Sequence, residues 1–297
     1  MFMIVIFVAT RASGDPTHLI LPPDATQAEI ADMRRQIGTD QPYPVQFAIF
    51  LRDMATLNFG RSVVNRQPVV DLLKDRVGNS LLLALASTVI VLGTALPLGV
   101  LAATHRGQLS DHVVRLVAAA GQAAPGFWVG LVLMEVFAVQ LRWLPVAGMG
   151  DGSIGSWQHY VLPGITHGLL LFASLTRLLR SSMLENLDAE FVKLARAKGV
   201  SELRVVWIHV FRNALLPIMT FMAIWTGTAV AGSVVTEVVF DWPGVGRMFV
   251  TAVSFRDFPI VQAVVAMVAV AVLLANLAVD LLYAVVDPRI RVGAGAR

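Results

Sequence analysis

An all-α integral membrane protein is the fold class this sequence predicts, and three observations predict it. Of 297 residues, 56% are hydrophobic and 14% charged, with a mean hydropathy of +0.70; soluble domains carry charge on roughly a quarter of their residues. Apolar stretches long enough to cross a bilayer recur along the chain, bounded by charged or Gly/Pro-rich segments. One stretch, Leu184 to Pro217, interrupts them with dense charge at helical spacing. About six spanning helices result, the first of them cut short.

Composition also excludes several function classes. The chain has no cysteine, which removes disulfide frameworks, thiolate metal sites and cysteine nucleophiles. Its formal charge of +3 is gathered in particular loops, the pattern of membrane topology rather than of a nucleic-acid stripe. His105 and His112 straddle a Gly-containing turn with only Asp111 nearby, which does not make a metal pair. No Walker A sequence and no Ser/His/Asp or His-Glu-x-x-His constellation occurs, so catalytic and metal sites are expected to be absent.

Met1 to Ala9 are apolar but reach only about half of a hydrocarbon core that takes roughly 20 helical residues. The expectation is that Met1 lies inside a first span and that an Arg-rich leader precedes it outside this reading frame. From Arg11 to Arg76, eight basic residues balance eight acidic ones, as suits an exterior domain. Pro22-Pro23 and Gln41-Pro42-Tyr43-Pro44 divide it into two or three short helices, one opening near Asp24 and another running from Val45 to Leu57.

Gly78 to Ala103 is the first full-length apolar segment, kinked at Pro97, and the short basic turn after it is placed inside. Val113 to Leu141 is the next, broken at Ala124-Pro125-Gly126. Glu135 lies within it; an acid at membrane depth is costly, so it either lines a watery pathway or sits near the interface, pairs with Arg142 or is protonated. Arg142 and Trp143 close this segment at an interface. Tyr160 to Thr176 follows, with Arg177 and Arg180 marking its inner end.

From Arg177 to Arg212 seven basic residues face four acidic ones, the strongest positive-inside signal in the chain. Within it Leu184, Leu187, Phe191, Leu194 and Ala195 share one face of a helix, while Asp188, Glu190, Lys193, Arg196 and Lys198 occupy the rest. Gly199 after this basic last turn is a C-terminal stop, and Ser201 is placed to cap a second helix through Val205, Val206, Ile208 and Phe211. Ala214 to Val235 is the fifth span, with Gly227 and Gly232 as small residues that allow close helix approach. Trp242-Pro243-Gly244-Val245-Gly246 is a rigid turn rather than a phosphate cradle, since Pro243 removes a donor. Ile260 to Val286 is the last span, carrying Asn276 and Asp280 one turn apart, on a face expected to hydrogen-bond to neighbouring helices. The tail from Asp287 is basic and is placed inside.

Several of these segments resemble one family. Ala195-Arg196-Ala197-Lys198-Gly199 followed by Arg212-Asn213-Ala214-Leu215-Leu216-Pro217 is similar to the cytoplasmic coupling loop of ABC importer permeases, most closely the dipeptide/oligopeptide branch. Gly14-Asp15-Pro16, Leu57-Asn58-Phe59-Gly60-Arg61-Ser62, the Trp242 turn, Arg256-Asp257-Phe258-Pro259 and Asp287-Pro288-Arg289-Ile290-Arg291 also resemble it, so the likeness runs from Ala12 to Arg291. The family's loop opens on Glu-Ala-Ala; Lys193-Leu194-Ala195 stands there, with Glu190 the nearest acid.

The resemblance implies a type I ABC importer transmembrane domain. Residues 1–10 would be the remnant of a first span, 11–77 an external helical insertion, 78–286 the membrane core with a coupling loop over 183–213, and 287–297 a cytoplasmic tail. It implies a permease subunit that moves peptide-like solutes by alternating access. An external binding protein, a second homologous permease and two cytoplasmic ATPase subunits carrying ATP and Mg would be its partners. Coupling would fall to Asp188, Glu190, Phe191, Lys193, Ala195, Arg196, Ala197, Lys198 and Gly199. The chain would sit in the inner membrane, multi-pass, C-terminus cytoplasmic, binding no cofactor or nucleic acid itself. An ion-coupled secondary transporter is the alternative; it requires inverted repeats and matched intramembrane charges, for which Glu135 and Asp280 are the only acids.

Overall fold

A computed structural model describes residues 4, 7–8, 25–37, 39–56, 58–151 and 156–286. Pro16, Pro23, Leu57 and the Asp287–Arg291 motif lie outside them, as do most of Met1–Ala9 and the side chain of Asp280. Among the described residues no strand forms, and an isolated bridge joins Arg61 to Pro68. Four helices are long and apolar enough to cross a membrane, or five if a bent pair counts as one span.

The chain divides into two compact units: Met1–Ser80 with Pro243–Leu273, and Leu81–Trp242 with Leu274–Arg297. In the first unit, helix α1 (Gln27–Ile37) opens with a reciprocal cap. Thr26 donates its N–H to Glu29 Oε2 at 2.7 Å, and Glu29 returns its own N–H to Thr26 Oγ1. This is a capping box, and the donors at Thr26 hold the Glu29 carboxyl below its usual range. Helix α2 (Tyr43–Ala55) packs Phe47 and Phe50 around Phe7.

Helix α3 (Val69–Thr104) begins nine residues before the expected Gly78. Val69 and Leu73 are buried with Val245, Ala252 and Ile260, so an apolar stripe extends the helix although Asp71, Lys74 and Asp75 ride its other face. It passes Pro97 without a break. Helix α11 (Val245–Ser254) and the first part of α12 (Phe258–Val286) also belong to this unit. Helix α11 follows directly on the Trp242 turn, and its ten residues are too few for periodicity to stand out against that turn in the sequence.

Here two segments singled out separately in the sequence meet. Asp257 is buried and its carboxylate accepts from Ser62 Oγ at 2.5 Å and from the N–H groups of Val63 and Val64 at 3.2 and 3.3 Å. Ser62 Oγ in turn accepts the Asn65 N–H. A carboxylate saturated in this way is a staple between two loops nearly 200 residues apart in sequence. Asn79 and Ser80 add bonds to the Pro243 carbonyl and the Val245 N–H.

The second unit is built around one helix. Elements α4 (Leu109–Ala123), α5 (Gly126–Leu133, continuing as a π-helix Met134–Gln140), α6 (Gln158–Leu187), α7 (Glu190–Ala197), α8 (Glu202–Arg204, continuing as a π-helix Val205–Phe211), α9 (Arg212–Gly232) and α10 (Val234–Val239) follow in order. Helix α6 packs against α4, α5 and α9. Over half of its apolar window is buried, 56%, against 22–28% for the other three long spans, so it is the central post while the others turn apolar faces outward. Leu171, Leu175, Leu179 and Met183, at four-residue spacing, form its buried stripe.

Close approach depends on glycine at defined points. On α6, Gly164 and Gly168 are four apart, and a Cβ on either would fall 2.7 Å from Ile90 or 2.5 Å from Val91 of α3. This small-xxx-small spacing lets backbones meet where lipid offers no hydrophobic drive. Gly227 on α9 behaves as expected, since an added Cβ would lie 2.1 Å from the Ala275 Cβ. Gly232 does not; its nearest neighbour, His167, would be at 3.7 Å. The break at Ala124-Pro125-Gly126 is present as a 111° bend between α4 and α5.

Candidate functional site

The charged segment after α6 is two elements rather than the single helix its periodicity suggests. Helix α6 ends at Leu187, Asp188 and Ala189 turn, and α7 starts at Glu190. The change of axis splits the predicted apolar face. Leu184, Leu187 and Ala195 pack on the core and Val192 is fully buried, whereas Phe191 and Leu194 are 42% and 56% exposed. Further along, Leu203, Trp207 and Ile208 are exposed as well. An amphipathic helix therefore stands with its inner edge packed and an apolar outer edge left uncovered.

Gly199 stops α7 as its sequence position predicts. Its φ is +75°, its N–H donates to the Arg196 carbonyl at 2.9 Å, and the Val200 N–H donates to the Ala195 carbonyl at 3.2 Å. That pair of bonds is the Schellman closure. A Cβ at this position would meet open space, so the requirement for glycine is conformational and not steric. Ser201 occupies the next cap position but makes no side-chain capping bond; its carbonyl accepts from Val205 instead.

The charges of this segment pair locally. Glu190 and Lys193, the two candidates for the polar contact of the family motif, bind each other at 2.7 Å across one turn. Arg196 grips Glu202 with two bonds, 2.6 and 3.1 Å, bridging α7 to α8 across the Gly199 corner. Hydrogen bonding to these acids raises both Lys193 and Arg196 above their ordinary pKa. Asp188 lies 3.7 Å from Arg106 of the α3–α4 turn. Ala197 ends α7 and Lys198 caps it.

Beneath the segment sits a group that sequence reasoning passed over. Asp111, 1% exposed, accepts two bonds from Arg180 of α6 at 2.7 and 2.9 Å, takes the Gly107 N–H at 3.0 Å, and has Arg115 at 3.4 Å. This network ties the α3–α4 turn to the root of α6, two turns before α7. Arg180 was read as an inner-end marker; its partner lies 69 residues away, beyond any local pattern.

The intramembrane polar residues are not brought together. Glu135, in the π-helix after α5, is exposed and accepts from Gln140 at 3.2 Å rather than from Arg142. The reason is local: Arg142 adopts a positive φ of 57° where the helix ends, which takes it off the helical face it was expected to share. Asn276 is exposed on α12, and the side chain of Asp280, with which it was expected to share a face, lies outside the described residues.

A cavity of about 350 Å³ opens at the α4–α5 bend, lined by residues of α4, α5, α6, α9 and α10. Gln122, Phe127, His167 and Trp225 are among its walls. The broken helix, unremarkable in the sequence beyond its Pro-Gly, is what makes the space.

A central helical post, a bent span and an amphipathic helix between the fourth and fifth apolar segments are the features that the coupling-loop resemblance leads one to expect. The chain belongs to the family described as "binding-protein-dependent transport system inner membrane component", whose model matches residues 95–292. It is 40% identical over 278 residues, 94% of this chain and 89% of the other, to a glutathione transport system permease protein GsiC of Salmonella choleraesuis (strain SC-B67). It is 38% identical to the protein so named in Escherichia coli (strain K12), over 97% of this chain and 93% of that one. Among solved structures, the fold is similar to the MetNI methionine ABC transporter in an inward-facing conformation, with a TM-score of 0.58 at 18% identity, covering 73% of this chain and 97% of that one. The chain is a multi-pass transport subunit of the inner membrane, and ATP hydrolysis belongs to a separate subunit.

Proposed function

We propose that this chain carries peptide-like solutes across the inner membrane by alternating access, with α7 as the element that receives motion from the ATPase. The observation that carries the reading is the uncovered apolar edge of α7, Phe191 and Leu194, on a helix whose other edge is locked to the core by Val192. Three residues apart on one helix, the two side chains form a contiguous apolar edge of the kind that suits a contact surface. Asp188, Glu190, Lys193, Ala195, Arg196, Ala197 and Lys198 complete the docking surface, and Gly199 is its rigid corner. Motion of the docked helix passes through buried Val192 and the Leu184, Leu187, Val205 and Val206 packing around it into α6 and α8–α9.

Two ATPase subunits, a second homologous permease and an external binding protein complete the assembly. ATP and Mg²⁺ are held by the ATPases, this chain binds neither, and its C-terminus faces the cytoplasm. The glutathione permeases that this chain resembles make glutathione the first cargo to try, with dipeptides second. The test is uptake by proteoliposomes holding the complete transporter. ATP should drive accumulation that survives collapse of ion gradients; uptake that follows an ion gradient and ignores ATP would mean a secondary transporter.

A further inference from the structure

The cavity at the α4–α5 bend falls in the roughly 300–1,000 Å³ range of small-molecule sites, and its wall holds an unmet polar group. His167 is 7% exposed. Its ring is hydrogen-bonded to the backbone of Ala229, and Nε2 has no partner among the described residues. In the Nδ1–H tautomer, the one that pairs the ring with the Ala229 carbonyl, Nε2 presents a bare lone pair, and that tautomer is the one assigned here. A buried acceptor without a donor carries a desolvation cost that folding alone does not explain. Across from it, Gly232 would place even an added Cβ only within ordinary contact of His167 Cε1, so no side chain closes over the ring edge from that side.

A second group fixes the chemistry. Gln122, an exposed residue of the same lining, accepts from Arg177 through Oε1 at 2.6 Å, which orients its amide and leaves the NH₂ as a donor. No acid lines the cavity, so a cation would enter without a counter-charge. With Thr166 Oγ1, also buried without a partner among the described residues, able to take either role, the acceptor, the donor and aromatic walls at Phe127 and Trp225 match a neutral secondary amide, whose N–H and C=O need one of each.

We infer that this cavity is a cargo-contact site that takes a peptide amide of the solute in transit, His167 Nε2 accepting the N–H and Gln122 donating to the carbonyl. The inference rests on the peptide-permease reading above and adds to it a site and its chemistry.

The experiment uses the complete transporter in proteoliposomes, supplied with its binding protein preloaded either with glutathione or with glutathione methylated on the cysteinyl–glycine amide nitrogen. Uptake is measured at saturating binding protein, and the ratio of the two rates is compared between the wild type and permease variants, so that the contribution of delivery cancels. The wild type should favour the N–H form by about tenfold. His167→Phe should bring the ratio near one, His167→Gln, which retains an acceptor, should restore part of it, and Gln122→Leu should slow both cargoes with the bend intact. If wild type and variants share one ratio while uptake stays robust, His167 binds only water or packing neighbours and the site is overturned. If the wild type takes up neither glutathione nor dialanine, the peptide-permease reading itself falls.

Discussion

Two ionic clusters lie close together in the second unit and do opposite things. At Asp111–Arg180 a buried carboxylate has every acceptor position engaged, by a forked guanidinium, a backbone N–H and a second arginine. On α7 the pairs Glu190–Lys193 and Arg196–Glu202 are exposed, and apolar side chains beside them lie open. Burial with full pairing resists rearrangement, because removing one member strands the other out of water. Exposed pairs cost little to break and re-form, which suits a surface that must accept and release a partner. The difference separates residues that hold the shape from residues that are kept for contact.

The largest effect should come from the buried cluster. Asp111→Ala leaves Arg180 unpaired and should lower stability by on the order of 3 kcal/mol, read as an earlier thermal unfolding transition of the detergent-solubilised protein. Arg180→Ala should match it, and the double variant should cost less than the sum of the two. The Asp257 staple belongs to the same closed class. Asp257→Ala strands the Ser62 hydroxyl and two N–H groups and should cost about 2 kcal/mol, visible in the same assay and as faster proteolysis between Gly60 and Gln67.

On the open side the effects should move from stability to binding. Phe191→Ala with Leu194→Ala should leave the unfolding transition unchanged and weaken association with the ATPase subunits by tenfold or more. Gly199→Val stands between the classes. It puts a β-branched residue at φ +75°, should cost about 1–2 kcal/mol locally, and should reduce uptake per ATP hydrolysed while binding-protein docking is unchanged. The smallest effect is expected at Lys193→Ala, whose loss of an exposed pair should leave unfolding unchanged and weaken ATPase association by only about twofold. A large loss there would erase the distinction between the two clusters.

Much of the fold was legible because membrane segments announce themselves by length and composition. The spans, the Ala124-Pro125-Gly126 break and the Gly199 corner each follow from a local rule about apolar runs, proline or positive φ. What escaped was set by partners far away in sequence. Asp111 pairs across 69 residues and Asp257 across 195, and nothing beside either residue signals its mate. The orientation of α7 was misjudged for a related reason: periodicity gives a face, but a two-residue turn at Asp188-Ala189 resets which face is inward. The Gly164 and Gly168 pair had a readable spacing that went unused. His167, a histidine in an apolar helix, gained meaning only from the cavity that the bend of another span opens beside it.

The absence of cysteine from the chain makes the decisive measurement direct. A single Leu194→Cys substitution gives one thiol on the outer edge of α7, and a short bifunctional cross-linker is applied to the assembled transporter in membranes. The account predicts a cross-link to the ATPase subunit that changes in yield between nucleotide-free and ATP-bound states, with none from a thiol at Leu82 on the outward face of α3. No cross-link at Leu194, together with normal ATP-driven uptake by a Phe191→Asp, Leu194→Asp variant, would contradict it.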